Sequence, residues 1–303
     1  MNTIIDYKFV CFLIILSVFS PISASAYEIT SFEISAKAGM LVSLDTGEML
    51  YENNIDKKVY PASIAKIMTA VLMLESDKWN PEAKVTLTKE VLDMVLGTGL
   101  AVSLLEEGEE FTQLDMLYMV LVSSWGDITY LAALTYGETV ENFVSMMNQK
   151  AKEIGMKNTV FKNPTGFDDK EHVTTPRDMA IIAFHLVKYN ELLFQFTRLK
   201  EAYVREDSSS PFWLVNTNKL VRFYDGVDGL KTGYTSNAKY CLTATGLKNN
   251  IMESFKKILV FENDISTSLN ECEICGEPTS SGICKACELK KLISENGKKE
   301  IHL

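Results

Sequence analysis

The run Ala62-Ser-Ile-Ala-Lys-Ile-Met-Thr-Ala-Val-Leu-Met-Leu-Glu75 limits the fold of this chain more than any other segment. It follows Pro61, and Ile64, Ile67, Met68, Val71 and Leu74 recur within it at helical spacing. A helix this apolar is buried or nearly so and needs other elements around it. Upstream, two strand-like runs within Gly39 to Tyr51 flank Asp45-Thr-Gly47, which reads as a hairpin turn. Downstream, Leu114 to Leu134 reads as an apolar helical region broken at Ser123 to Asp127, and Val140 to Ile154 as an amphipathic helix stopping near Gly155. Strand signals return at Gly226 to Tyr234 and at Tyr240 to Thr245. A hairpin, then helices, then strands predicts an α+β fold rather than a doubly wound sheet.

Composition narrows the function classes. The 303 residues carry 30 Lys+Arg against 40 Asp+Glu, a formal charge of -10, so nucleic acid is not expected as a partner of the main body. At the N-terminus, Lys8 precedes an apolar run from Phe9 to Phe19, and Ser23-Ala-Ser-Ala26 offers a small-residue cleavage site before Tyr27. Residues 1–26 therefore read as a secretory signal peptide, too short in its apolar part to span a bilayer permanently. Export outside the cytoplasm is expected, with peripheral attachment to the membrane. Past about Asn250 the chain turns Lys/Glu-rich and then cysteine-dense. The expected divisions are residues 1–26, a main domain 27–250 and a tail 251–303.

The long apolar helix also carries chemistry. In Ser63-Ile-Ala-Lys66 the two polar residues are three apart on one face, so the Lys66 amine can reach the Ser63 hydroxyl. A serine needs a base, and a desolvated lysine can serve. By itself S-x-x-K also fits a polar first turn with a solvated lysine. Lys231-Thr-Gly233, in a strand-like setting, adds a cation, a hydroxyl and a residue small enough for substrate backbone to come close. Together, S-x-x-K and K-T-G form the set of serine acyl transferases that react with penicillin.

Residues from about Ala36 to Thr245 resemble the low-molecular-weight penicillin-binding proteins, the serine D-alanyl-D-alanine carboxypeptidases of peptidase family S11. The likeness runs through Tyr60 to Ala70, Met146 to Thr159, Asn163-Pro-Thr-Gly-Phe-Asp168, Thr175-Pro-Arg-Asp-Met-Ala180 and Val227 to Thr235, in the family's order. It implies a β-lactamase/transpeptidase-like antiparallel sheet flanked by helices, and no cofactor for catalysis. It further implies that Ser63 attacks the penultimate D-Ala carbonyl of a peptidoglycan stem peptide, that Lys66 takes its proton, and that water later hydrolyses the acyl-enzyme. The Ser63 and Tyr234 N–H groups would form the oxyanion hole, worth roughly 3 to 4 kcal/mol per donor. Lys231 and Thr232, with Gly233, would receive the terminal carboxylate region, and β-lactams would bind at the same place.

The family's third motif, S-x-N, is broken. Ser124 stands at its serine, which in the family helps relay a proton to the leaving amine, but Gly126 stands where Asn is usual. A lost hydrogen bond beside a charge costs roughly 1.5 to 3 kcal/mol, so reduced activity is an expectation. His172, His185 and His302 make no H-E-x-x-H pair, which speaks against a zinc peptidase. His185 reads as a packed helix residue and His172 as a loop-ordering one. Trp79, Trp125 and Trp213 read as packing residues, with Trp125 bordering the substrate groove if the motif alignment holds.

In the tail, Cys272-Glu-Ile-Cys275 and Cys284-Lys-Ala-Cys287 form two C-x-x-C knuckles suited to structural zinc, or to two disulfides after export. The segment from about Met252 to Ile293 resembles the zinc ribbon of ATP-dependent tRNA thiolation enzymes, whose S-G-G-x-D-S loop is missing from the sequence. The main domain thus reads as truncated near residue 250 and joined to a foreign end. The competing functions are a catalytically impaired peptidoglycan- or penicillin-binding module or chimeric remnant, a β-lactamase, which lacks an evident E-x-x-x-N element, and an RNA-binding ribbon, which the leader opposes.

Overall fold

A computed structural model describes residues 36–43, 46–187, 189–205, 211–224 and 226–246, together with the pairs 270–271 and 278–279. The leader lies outside the described residues, as do Cys272, Cys275, Cys284 and Cys287.

The apolar run becomes a 3-10 turn, Ala62–Ala65, that continues into helix α1, Lys66–Leu74. Ile67, Met68, Ala70, Val71 and Met73 are fully enclosed, so α1 is the axis about which the other elements pack. Against it lie α4 (Gly126–Gly137), α5 (Val140–Ile154) and α6 (Pro176–Val187). Helix α5 presents Phe143, Met147 and Ala151 to the core at a four-residue spacing and leaves its charged face in solvent. Thr139 caps its start by accepting from Asn142 N, and Gly155, in the left-handed conformation, ends it as the sequence predicts.

The smaller helices α2 (Lys89–Val95), α3 (Gln113–Tyr118), α7 (Asn190–Thr197) and α8 (Leu220–Phe223) complete the shell. A capping box between Thr112 and Asp115 opens α3. A π-helical stretch, Met119–Ser123, follows it directly. It ends at Ser124, and the non-helical step Ser124–Trp125 before Gly126 falls inside the break anticipated at Ser123 to Asp127.

Every strand pair among the described residues is antiparallel. Strands β1 (Gly39–Val42) and β2 (Met49–Asn53) form the predicted opening hairpin. Strands β3 (Lys84–Thr86) and β4 (Glu110–Thr112) pair across the α2 excursion, and β5 (Glu201–Val204) pairs with β6 (Phe212–Val215). The downstream strands become β7 (Val227–Thr235) and β8 (Lys239–Gly246), in register from Leu230↔Ala244 to Thr235↔Lys239. In the tail, β9 (Asn270–Glu271) pairs with β10 (Pro278–Thr279). The fold is the expected α+β arrangement.

One packing expectation needs correction. Trp213 is 53% exposed, because alternation along β6 turns Leu214 into the core and Trp213 outward. Trp125 is half-buried and meets Phe212 edge-on with ring centroids 5.2 Å apart.

Candidate active site

The 3-10 geometry of Ala62–Ala65 makes the S-x-x-K spacing effective. At three residues per turn, positions i and i+3 eclipse, so Lys66 stands directly beside Ser63. Lys66 Nζ is 2.9 Å from Ser63 Oγ, 3.4 Å from Ser124 Oγ and 3.1 Å from the Thr165 carbonyl, so each of the three ammonium protons has an acceptor. The lysine is 1% exposed. Burial pulls its pKa down to about 7, and the charge of Asp127 opposes that fall.

Three separate elements deliver these partners. Ser124 ends the π-helical stretch in the left-handed conformation, φ 65°, which aims its side chain back toward Lys66. Thr165 belongs to a loop organised by Asn163, whose Oδ1 accepts from Thr165 N, Thr165 Oγ1, Gly166 N and Phe167 N at 2.9 to 3.2 Å. That loop is fixed at both ends. Thr69 Oγ1 donates to Pro164 O at 3.0 Å, while Asp168 accepts from Thr235 Oγ1 at 2.6 Å and from Asn237 Nδ2 at 2.9 Å. Gly166, at φ +84°, lies so close to the Ala62 carbonyl that no side chain fits between them.

Strand β7 brings the K-T-G residues to the same place. A methyl group on Gly233 would stand 2.7 Å from Ser63 N, so only glycine lets the strand approach the serine turn this closely. Lys231 is fully buried, and its Nζ donates to Thr232 O at 2.9 Å. Desolvation, then the charge of Lys66, lowers its pKa well below the ordinary lysine value. Thr232 is half-buried and donates to Thr217 Oγ1 at 2.9 Å, on the open side of the site. Tyr234 is 55% exposed beside Tyr240, with ring centroids 4.8 Å apart.

All seven residues singled out in the main domain, Ser63, Lys66, Ser124, Lys231, Thr232, Gly233 and Tyr234, thus fall on the serine turn, the π-helix end or β7, which meet at Ser63 and Lys66. A hydroxyl against a desolvated amine, with further hydroxyls alongside, can generate an alkoxide and pass its proton onward. The sequence reading overlooked three contributors. Thr165 lies within the Asn163–Asp168 segment, and its carbonyl bonds Lys66. Thr217 follows β6, donates its N–H to Val122 O at 3.1 Å and meets Thr232. Asp127 is a fully buried carboxylate next to the broken motif, a pattern that could have drawn notice.

At that motif, Gly126 N donates to Ala101 O at 2.7 Å, and a methyl group on Gly126 would meet Leu100 Cβ and Cδ1 at 3.0 Å. The space above Gly126 is therefore occupied. His172 and His185 lie elsewhere, and His302 is outside the described residues. His185 Nε2 and Glu75 Oε1 are 2.8 Å apart on α6 and at the end of α1, whereas His172 is buried edge-on to Phe161. Among the described residues no group of His, Cys, Asp and Glu suits a metal ion, and no helix is long and apolar enough to cross a membrane.

Comparison with known proteins bears on this site. The family model described as D-alanyl-D-alanine carboxypeptidase, peptidase S11, matches residues 23–255. The chain is 44% identical over 219 residues to the D-alanyl-D-alanine carboxypeptidase DacF of Bacillus subtilis, covering 71% of this chain and 55% of that one. It is 30% identical over 256 residues to DacA of Haemophilus influenzae, covering 77% and 59%. The chain thus spans little more than half the length of these two relatives. Among solved structures, the Streptomyces K15 DD-transpeptidase superposes with a TM-score of 0.69 at 30% identity, over 73% of this chain and 88% of that one.

Proposed function

The chain belongs to the D-alanyl-D-alanine carboxypeptidase family, peptidase S11, and on that premise we propose that it removes the terminal D-Ala from peptidoglycan stem peptides through an acyl-enzyme on Ser63. The observation that carries the proposal is the 2.9 Å approach of Ser63 Oγ to a wholly buried Lys66 whose pKa lies near neutrality. In its neutral form Lys66 accepts the Ser63 proton as Oγ bonds to the carbonyl carbon of the penultimate D-Ala. The Ser63 and Tyr234 N–H groups take the developing oxyanion. The C–N bond then breaks, and the proton on Lys66 reaches the departing D-Ala amine through Ser124, 3.4 Å from Nζ. Water adds to the ester in the second half, releasing the shortened peptide and returning the proton to Ser63. Lys231 and Thr232, with Thr217 beside them, hold the substrate's terminal carboxylate. A β-lactam enters by the same route but keeps its leaving group tethered.

The second reading is a catalytically impaired peptidoglycan- or penicillin-binding module, and the observation favouring it is Gly126 in place of the motif amide. Export through residues 1–26, a main domain of residues 27–250, peripheral membrane association and zinc held by Cys272, Cys275, Cys284 and Cys287 complete the proposal, all on sequence grounds.

Intact-mass analysis after incubation with benzylpenicillin tests the central claim. The expected result is one penicilloyl adduct that Ser63→Ala abolishes. A folded wild type that gains no mass would leave the binding-module reading.

A further inference from the structure

Asp168 ends the segment Asn163-Pro-Thr-Gly-Phe-Asp168 and takes no part in the proton transfers among Ser63, Lys66 and Ser124. It is half-buried, and both its oxygens draw donors from one place, the end of β7 and the turn that follows. Oδ1 accepts from Thr235 Oγ1 at 2.6 Å and Oδ2 from Asn237 Nδ2 at 2.9 Å. Thr235 Oγ1 in turn accepts from Ala238 N at 3.0 Å, so its proton goes to the carboxylate and a lone pair to the turn. Hydrogen bonds to an ionised acceptor are roughly twice as strong as neutral ones.

These bonds close a ring of three elements. The Thr165 loop meets the serine turn and α1, where Gly166 lies against the Ala62 carbonyl and Thr69 Oγ1 donates to Pro164 O at 3.0 Å. Strand β7 meets the same turn from another side: a methyl group on Gly233 would stand 2.7 Å from Ser63 N and 3.1 Å from Ile64 N. The peptide N–H that follows Gly233 is that of Tyr234. Both oxyanion donors, Ser63 N–H and Tyr234 N–H, therefore belong to this junction but ride on different elements. The two glycines permit close approach and add no side-chain bond that would hold it. The third side of the ring, loop to strand, is made by side chains, and Asp168 is its acceptor. Past Thr235 the hairpin end runs into solvent, with Ser236, Asn237 and Lys239 exposed.

We propose that Asp168 is a positioning residue for the oxyanion hole: its carboxylate pins the end of β7 to the Thr165 loop and so sets where the Tyr234 N–H stands relative to the Ser63 N–H. The inference rests on the reading of Ser63 as the acylated nucleophile served by those two donors. It gives Asp168 no contact with substrate and no proton to transfer. Without the pin, the Tyr234 N–H moves off the oxygen that gains charge, while Ser63, Lys66 and Ser124 keep their mutual bonds. Removing an oxyanion donor costs about 10² to 10³ in rate, and a donor that is displaced but still present should cost about tenfold.

The test compares two acyl donors on the full chain, a D-Ala depsipeptide ester with C=O at the scissile carbon and its thiono counterpart with C=S. In both, Ser63 Oγ bonds to that carbon, the ester C–O bond breaks, and the alcohol leaves with the proton that Lys66 took from Ser63. Sulfur is the weaker acceptor, so the thiono ester draws little from the two N–H groups. Asp168→Ala should slow acylation by the C=O ester about tenfold and by the C=S ester about twofold or less. Asp168→Asn keeps an acceptor for Thr235 Oγ1 and should recover most of the loss. Thr235→Val cuts the same pin from the strand side; it should show the same selective loss, and it decides alone if Asp168→Ala does not fold. Equal losses on the two esters, which a general loosening of the fold would give, or no loss on either, overturn the proposal. A wild type acylated by neither ester nor by benzylpenicillin refutes instead the assignment of Ser63, so the two failures are distinct.

Discussion

Replacing Gly126 by asparagine rebuilds the family's S-x-N pattern, and the structure predicts that the repair damages the protein. The new Cβ alone would lie 3.0 Å from both Leu100 Cβ and Leu100 Cδ1. Leucine can swing its Cδ1 away, but its Cβ is tied to a backbone that bonds Gly126 through Ala101 O at 2.7 Å. Forcing extra atoms into a filled site costs about 1 to 3 kcal/mol. Against this stands the usual gain of about 0.5 to 1 kcal/mol when a helical glycine acquires a side chain. The overpacking is the larger effect, so Gly126→Asn should lose up to about 2.5 kcal/mol net. For a domain of this size that lowers the Tm by a few degrees. Acylation should slow as well, because moving Leu100 and Ala101 strips the acceptor from Gly126 N and loosens the turn that aims Ser124. Urea unfolding of Gly126→Asn, Leu100→Ala and the double variant checks the steric cause. Relief of the Cδ1 contact should return part of the lost stability in the double variant. An asparagine variant as stable as the wild type and labelled faster by penicillin would refute the reasoning, since it would mean that the pocket for the amide still exists.

Two further outcomes follow from the same geometry. With Lys66 titrating at about 7 in the fold, acylation at pH 5 should fall roughly a hundredfold below its plateau. The sign for stability is the reverse of a salt bridge: between about pH 7 and the ordinary lysine range the unfolded chain binds the proton and the native one does not. The site's contribution to stability therefore rises with pH across that window, and urea midpoints for wild type and Lys66→Met at pH 7 and 9 should converge as pH rises. Removing the acceptor of the Thr165 loop by Asn163→Ala leaves three backbone donors and one hydroxyl donor without their shared oxygen and should cost about 1 to 3 kcal/mol by thermal unfolding. Labelling should slow in parallel, and unchanged labelling would mean that the Thr165 carbonyl does not position Lys66.

Local pattern was enough to place the apolar helix, the amphipathic helix with its Gly155 stop, the opening hairpin and the β7–β8 pair. Each is encoded by residues a few positions apart, through helical or strand periodicity and turn chemistry. The pairing of Ser63 with Lys66 belongs to the same class, since three-residue spacing on one turn brings them together whatever surrounds them. The sequence could also name Ser124 and the K-T-G residues, through motif order and family likeness.

What it could not supply was depth and closure. Whether Lys66 is solvated or sealed depends on α4, the Thr165 loop and β7 meeting around it, contacts that span 58 residues to Ser124 and 99 to Thr165. Its proton affinity follows from that enclosure rather than from any neighbour in the chain. The vacancy suggested by Gly126 in the motif was likewise a one-dimensional inference. Only the fold put Leu100 into that space and a buried Asp127 beneath it, because steric occupancy and desolvation are properties of assembled volumes and not of residue order.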